Sequence, residues 1–264
     1  MKVLHVWNIA GVASIIAKHM DRLFKTESNV VMRKQFDKFG LTVYGETWNC
    51  GAKAFTFKAL WMVRKYDLIH VHDFDKFVPL LKMFYPNKPF ILHYHGTRIR
   101  GIANERRKYH QKAEFIIVST PDLLEDLPDA TYIPNPIDTD FFRPLGDHAD
   151  NSAIYIIKQQ EELGENLEWS KSMAQKYGLR LSLRDRIENP IPYAELPAFL
   201  NQYSYLIDRD YIKSLSKTAL EALACGLKVV AWNGKLVEGL PKEHKPEIVA
   251  KQLHDLYRKL TRTG

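Results

Sequence analysis

Apolar residues come along this chain in short blocks, separated by longer stretches in which they recur every three or four positions. The first block, KVLHVWNIAG, runs into VASIIAKHMDRLF, where Val12, Ile15, Ile16, His19, Met20 and Leu23 keep helical spacing. That pattern predicts a strand, a tight turn and a helix. It recurs downstream. NVVMRKQ reads as a strand, FTFKALWMVRKY as an amphipathic helix and DLIHVHD as a buried strand. KFVPLLKMFY reads as a helix, and PFILHYHG, EFIIVST and ATYIPNP as further strands. Short apolar strands alternating with helices predict a parallel sheet covered on both faces.

Between residues 134 and 152 the periodicity stops, and Pro134, Pro136, Pro144 and Gly146 mark a linker. The alternation then resumes. SAIYIIK, LRLSLRD and YSYLID read as strands, with GENLEWSKSMAQKYG and YAELPAFLNQ as the helices between them. SLSKTALEALACGLKVVAWNG reads as a helix that Gly226 stops so that a strand can follow. PEIVAKQLHDLYRKL closes the series as a basic amphipathic helix, with Pro246 in its first turn. The expected architecture is α/β, with two Rossmann-like doubly wound domains over residues 1–145 and 146–264. The second is reduced, and the last helix (246–261) is a candidate to pack back on the first.

Composition narrows the classes. The 264 residues are 45% hydrophobic and 26% charged, which fits a packed globular protein. A net charge of +7 favours anionic partners such as nucleotides, phospholipid surfaces or nucleic acid. The interleaved aromatic and basic strands of a nucleic-acid-binding sheet are missing. Two cysteines, Cys50 and Cys225, exclude a disulfide framework. Without a leader or a long apolar run, the expected location is the cytoplasm, including the periphery of the inner membrane face. Ala10-Gly11-Val12-Ala13 lacks the glycine spacing of a dinucleotide fingerprint, so no nicotinamide cofactor is expected.

Several residues stand out for their chemistry. Glu221 lies among Ala, Leu and Cys in a helix. Thr218-x-x-Glu221 fits a capping box, and the carboxylate equally fits a ligand hook. His95 ends a strand, where ligands collect in open α/β sheets. His93 shares its face of that strand, but a metal pair there lacks a third ligand, and no metal is expected. The acidic triplets at 138–140 and 208–210 read as linker and as a rival metal site. Asp73 ends another strand, facing a ligand or capping the next helix. Asn135 is a turn former in the linker.

Four segments in order resemble the GT-B glycosyltransferases of family 4. They are the AGVAS turn, DLIHVHD followed by ILHYHGTRIR, YIPNPIDTDFFRP, and ALEALACGLKVVA. The resemblance implies two domains facing across a cleft and a retaining, metal-independent sugar transfer. A nucleotide-diphosphate sugar is the co-substrate, no other cofactor is needed, and the acceptor is a glycan, a lipid-linked or a small molecule. It places Glu221 on the donor ribose and Ser216, Lys217 and Thr218 on the diphosphate. His95 faces the transferred sugar, and Gly11 and Asp73 lie on the acceptor side.

The sequence departs from the family in two places. Lys213 stands where a second glutamate is usual, before a Ser214-Leu215-Ser216 turn without glycine. Lys158 has no arginine beside it to complete the usual diphosphate clamp. Lys158, Arg184, Arg186, Arg209 and Lys213 are the replacement cations, with Arg209 preferred for binding and Lys213 for charge in the reaction. The alternative is that they pair with Asp185, Asp208 and Asp210. An inactive sugar-nucleotide-binding relative, a sugar-nucleotide epimerase and a nucleic-acid module remain the rival functions. Aromatics beside Lys and Arg in FTFKALWMVRKY and KFVPLLKMFYPNK suit either packing on the sheet or docking on an anionic membrane.

Overall fold

The computed structural model describes residues 1–96, 99–146, 148–157, 164–209 and 212–262. These fall into two compact units, Met1–Pro136 with Pro246–Gly264, and Ile137–Lys245. The division thus lies nine residues ahead of the expected one, and the closing helix belongs to the first unit.

In the first unit, β1 (Lys2–Val6), α1 (Val12–Phe24), β2 (Glu27–Arg33), β3 (Glu46–Trp48) and α2 (Ala52–Val63) are followed by β4 (Leu68–His72) and α3 (Val78–Phe84). Then come β5 (Phe90–Tyr94), α4 (Ala103–His110), β6 (Phe115–Val118), α5 (Leu123–Asp126) and β7 (Thr131–Tyr132). The seven strands form one sheet in the order β3-β2-β1-β4-β5-β6-β7, with every pairing parallel. Strand order reverses between β1 and β4, the place where such sheets gather ligands beyond their carboxyl ends.

Each strand divides its residues between two cores. Leu4, Val6, Ile69, Val71, Phe90, Leu92 and Tyr94 pack with α2 and α3. Val3, Leu68, Ile91 and Ile117 point the other way, onto α1 and the helix Pro246–Arg262. Gly11 takes φ +77°, and a Cβ there would sit 3.2 Å from the Leu41 carbonyl oxygen, so the β1–α1 turn is built for glycine. Asn8 caps the helix by accepting from the amide of Ala13 at 3.0 Å.

The second unit holds β8 (Ser152–Ile157), α6 (Glu165–Lys176), β9 (Arg180–Asp185), α7 (Leu196–Leu200), β10 (Tyr205–Ile207), α8 (Lys217–Ala224), β11 (Lys228–Val230) and β12 (Leu236–Glu238). Its sheet runs β12-β11-β10-β8-β9 and is parallel except for the β11–β12 pair. The helix Pro246–Arg262 is α9. Pattern reading misses β3, α5 and β12, which have three or four residues each, too short to show a period, and α4, whose eight residues ANERRKYH are mostly polar and carry no apolar stripe.

Candidate functional site

On the α1/α9 face of the first sheet, the alternation that puts Val3, Leu68 and Ile91 in the core puts imidazoles at the next same-face positions. His5 follows Val3, His70 and His72 follow Leu68, and His93 and His95 follow Ile91. His5, His70, His72 and His93 are fully buried. Hydrogen bonds link the rings in two rows that share one end. His5 Nδ1 lies 3.1 Å from His72 Nε2, and His72 Nδ1 lies 2.9 Å from His95 Nε2. His95 Nδ1 lies 2.9 Å from both Asn135 Oδ1 and Ser119 Oγ. From Ser119 the second row returns through His93 Nε2 at 2.8 Å, then from His93 Nδ1 to His70 Nε2 at 3.1 Å. It ends at the Tyr257 hydroxyl of α9, 2.6 Å from His70 Nδ1. The rows stack, with His70 over His72 and His93 beside His95 at centroid distances of 4.1 and 4.0 Å.

Burial pushes all five imidazoles toward the neutral form. His5 falls to about 3 and His95 to about 4, while His70, His72 and His93 lie well below their ordinary value, helped by repulsion from the neighbouring rings.

This array corrects the reading of His93 and His95 as a pair without a third ligand. His72, His93 and His95, and likewise His5, His70 and His72, each bring ring nitrogens within 4.8 Å of one another. Of their ring nitrogens, nine are engaged with ring, hydroxyl or amide partners and only His5 Nε2 has none, so the polar groups are satisfied almost completely without an ion. The expectation that the His95 side chain is open to a sugar also changes, because both of its ring nitrogens are spent inside the unit. Asp73 serves the end of the neighbouring strand β5. It takes a left-handed φ of 54°, and its Oδ1 accepts the amide of His95 at 2.9 Å, fixing the backbone where β5 ends. Asn135 holds His95 through its Oδ1 and lies in irregular chain rather than in a turn.

His5, His70, His72, Ser119 and Tyr257 are the residues that sequence reasoning missed. HVH and HYH carry the signal, since their period of two puts each pair on one face. What links the pairs is strand order, which brings β1, β4 and β5 side by side.

In the second unit, the candidate donor residues cluster at the start of α8. Ser216 is its N-cap, and its Oγ accepts from the Ala219 amide at 3.2 Å. The Thr218–Glu221 capping box is therefore absent, because the helix begins two residues earlier than that box requires. Asp208, at the end of β10 and buried, accepts from the Ser216 amide at 2.8 Å and from its hydroxyl at 2.7 Å. An internal carboxylate thus stands at the helix's positive end. A small cavity opens beside it, lined by Tyr155, Asp208, Arg209, Ser216 and Thr218.

Glu221 is buried and forms an ion pair with Lys217, one helical turn away. The Lys217 ammonium lies 5.3 Å from the Tyr193 ring centroid and 5.9 Å from that of Phe142, so aromatic rings screen the pair. Glu221 also acts electrostatically on Arg186 and Tyr193, and it adds to the burial that pushes the Cys225 thiol up to about 12. Arg209 donates to Asn166 Oδ1 and the Trp232 carbonyl, both at 3.2 Å, and lies over the Trp169 ring. Asp208 serves Ser216. Arg184 donates to the Asn189 carbonyl at 3.0 Å. Lys213 is exposed. Lys158 and Asp210 lie outside the described residues.

Solved structures resemble both units together. Sucrose-phosphate synthase from Thermosynechococcus elongatus matches with a TM-score of 0.62 at 14% identity, over 100% of each chain. The catalytic domain of starch synthase IV from Arabidopsis thaliana matches with a TM-score of 0.61 at 11% identity, over 99% of this chain and 93% of that one. AviGT4, a glycosyltransferase involved in avilamycin A biosynthesis, gives 0.59 at 11%, over 100% and 99%. No protein-family model matches the chain, and no curated protein matches it in sequence. Seven parallel strands in one unit, five strands in the other and end-to-end likeness to these structures give the chain the GT-B fold, its second Rossmann-like domain the smaller.

Proposed function

We propose that the protein transfers a sugar from a nucleotide-sugar donor to an acceptor hydroxyl, with retention and without a metal. The observation that carries this reading is the α8 N-terminus at the carboxyl end of the second sheet, where Arg209, Ser216 and Thr218 line a small cavity and Glu221 lies buried one turn into the helix. Helix-start amides and a cation suit a departing diphosphate, and a buried carboxylate suits ribose hydroxyls. The starch synthase match, bound to ADP and acarbose, and the MnaA structure, bound to UDP and similar at a TM-score of 0.54, support a nucleotide at this fold. Glu221 and Lys217 act as a coupled pair, so the ribose engages a carboxylate already held in place.

On this reading the first unit supplies the acceptor side, with Gly11 and Asp73 shaping the strand ends. His95 contributes through the backbone that Asp73 fixes, its ring being occupied. Lys213 is the exposed cation available to the diphosphate, and a glycan, a lipid-linked or a small molecule receives the sugar. The setting is the cytoplasm.

One observation favours a second reading, binding without transfer: the His95 ring offers no free nitrogen to a sugar. A thermal-shift screen of UDP, ADP and GDP and their sugars tests the site, because a ligand of the folded state raises its melting temperature. Transfer or donor hydrolysis in the presence of EDTA then separates the two readings, and the anomeric configuration of the product reports retention. Absence of any nucleotide-dependent shift defeats both.

A further inference from the structure

Helix α2 turns its apolar residues in two directions. Phe55, Ala59, Leu60 and Val63 enter the core, yet Phe57 and Trp61 stand on the outside, 76% and 49% exposed. They form an open groove with Lys53, Ala54 and Lys58. Arg64 lies 3.8 Å and Lys65 4.9 Å from the Trp61 ring centroid, and Lys58 lies 3.8 Å from that of Trp48. From Thr47 to Tyr66 the chain carries four cations and no acidic residue. Soluble proteins rarely leave two large aromatics of one helix face in water, and here neither is needed for the fold.

We infer that the outer face of α2 docks on an anionic phospholipid bilayer. Charge selects the occupant: a rim of four cations, with Glu46 at its edge tied to Trp48 Nε1, calls for a dense, extended negative surface, while Trp and Phe suit the apolar layer just beneath it. Size agrees. A helix of 12 residues spans about 18 Å, so its outer face falls well short of the roughly 800 Å² that each side of a stable protein interface buries. A bilayer needs no such area, because each basic residue near an anionic leaflet raises partitioning roughly five-fold. Among the described residues no helix is long and apolar enough to cross a membrane, so the contact is peripheral.

The test is flotation of the full chain with phosphatidylcholine vesicles, with and without phosphatidylglycerol, at low and high salt. Binding is expected only with phosphatidylglycerol and should weaken as salt rises, since screening shortens the reach of the cations. Phe57→Ser with Trp61→Ser should reduce binding at least ten-fold with an unchanged melting temperature, because both side chains are exposed. Lys53→Glu with Lys58→Glu should reduce it similarly. Equal recovery with neutral and anionic vesicles overturns the inference, as does anionic binding that both double variants retain. Concentration-dependent self-association lost in the Phe57/Trp61 variant, without vesicle binding by the wild type, overturns it in favour of a second copy. Nucleotide binding plays no part in this assay, so its result stands apart from the transferase reading.

Discussion

His72 donates through Nδ1 to Nε2 of His95 across 2.9 Å, and the amide oxygen beyond His95 fixes the proton positions along that row. Asn135 Oδ1 only accepts, so His95 carries its proton on Nδ1 and must accept on Nε2. His72 then accepts on Nε2 from His5 Nδ1, and His5 Nε2 is left as a buried lone pair without a partner. In the other row the Ser119 and Tyr257 hydroxyls can each donate or accept, so the bonds through His93 and His70 all run one way or all run the other. His5, His72 and His95 should therefore be neutral Nδ1–H tautomers, and His70 and His93 should share one tautomer. Long-range proton–nitrogen NMR on histidine-labelled protein reads this directly, and Nε2–H signals from His72 or His95 would contradict the assignment.

Acid should unfold the first unit steeply. The native imidazoles have lowered pKa values, whereas in the unfolded chain they titrate near 6.5. Above that pH neither state binds the extra protons and stability is unaffected. Below it the unfolded state binds more, so stability falls as pH falls. Each histidine costs roughly 1.4 kcal/mol per pH unit and the five together about 7, comparable to a whole domain's stability. Circular dichroism should show cooperative loss between about pH 6 and 5, with a slope of several protons. A first unit intact at pH 4 would rule out the neutral array.

Tyr257→Phe keeps the ring and removes the hydroxyl, leaving the buried His70 Nδ1 unpaired. The cost should be about 1–3 kcal/mol in urea unfolding. Tyr257→Ala adds a cavity in the α9 core and should reach about 3–5 kcal/mol. Similar stabilities for Tyr257→Phe and the wild type would show that the hydroxyl bond contributes nothing.

Lys217 and Glu221 should behave as one unit. Glu221→Gln strands an ammonium between two aromatic rings and should lower stability by about 1–3 kcal/mol. Adding Lys217→Met should recover part of that loss, a coupling that a double-mutant cycle measures. Nucleotide affinity should fall in both single variants. Strict additivity of the stabilities would mean that the pair is not coupled.

Lys213 is exposed, so Lys213→Met should leave stability within about 0.5 kcal/mol of wild type. Turnover should fall more than donor affinity if its charge serves the departing diphosphate, and Lys213→Glu should be slower still. Transfer by Lys213→Glu at the wild-type rate would move that role to Arg209.

Period and punctuation made the strands and long helices legible, as Val12, Ile16 and Met20 show for α1. The start of α8 was not, because Ser216 and Thr218 are both good caps, and the choice was made by Asp208, eight residues before Ser216 and at the end of another strand. The same limit applies to the site. Each histidine pair shows its shared face in sequence, but the hydrogen bonds run between strands whose adjacency emerges only on folding. The Lys217–Glu221 pair shows in the sequence only as i,i+4 spacing, which suits separate ligand roles for the two residues equally well.

Residues Ile137–Lys245 interrupt the first unit, and the helix that completes its core is encoded after them. On the ribosome, Val249, Leu253 and Tyr257 emerge only once the whole second unit has been made. Until then the first sheet carries an uncovered strip of Val3, Leu68 and Ile91, and His70 lacks its hydroxyl partner. At about 5–20 residues per second, that exposure lasts on the order of ten seconds in each round of synthesis. The second unit can fold as it emerges, while the first must wait for α9. Truncation ahead of Pro246 should therefore yield a chain whose second unit is sound and whose first binds chaperones.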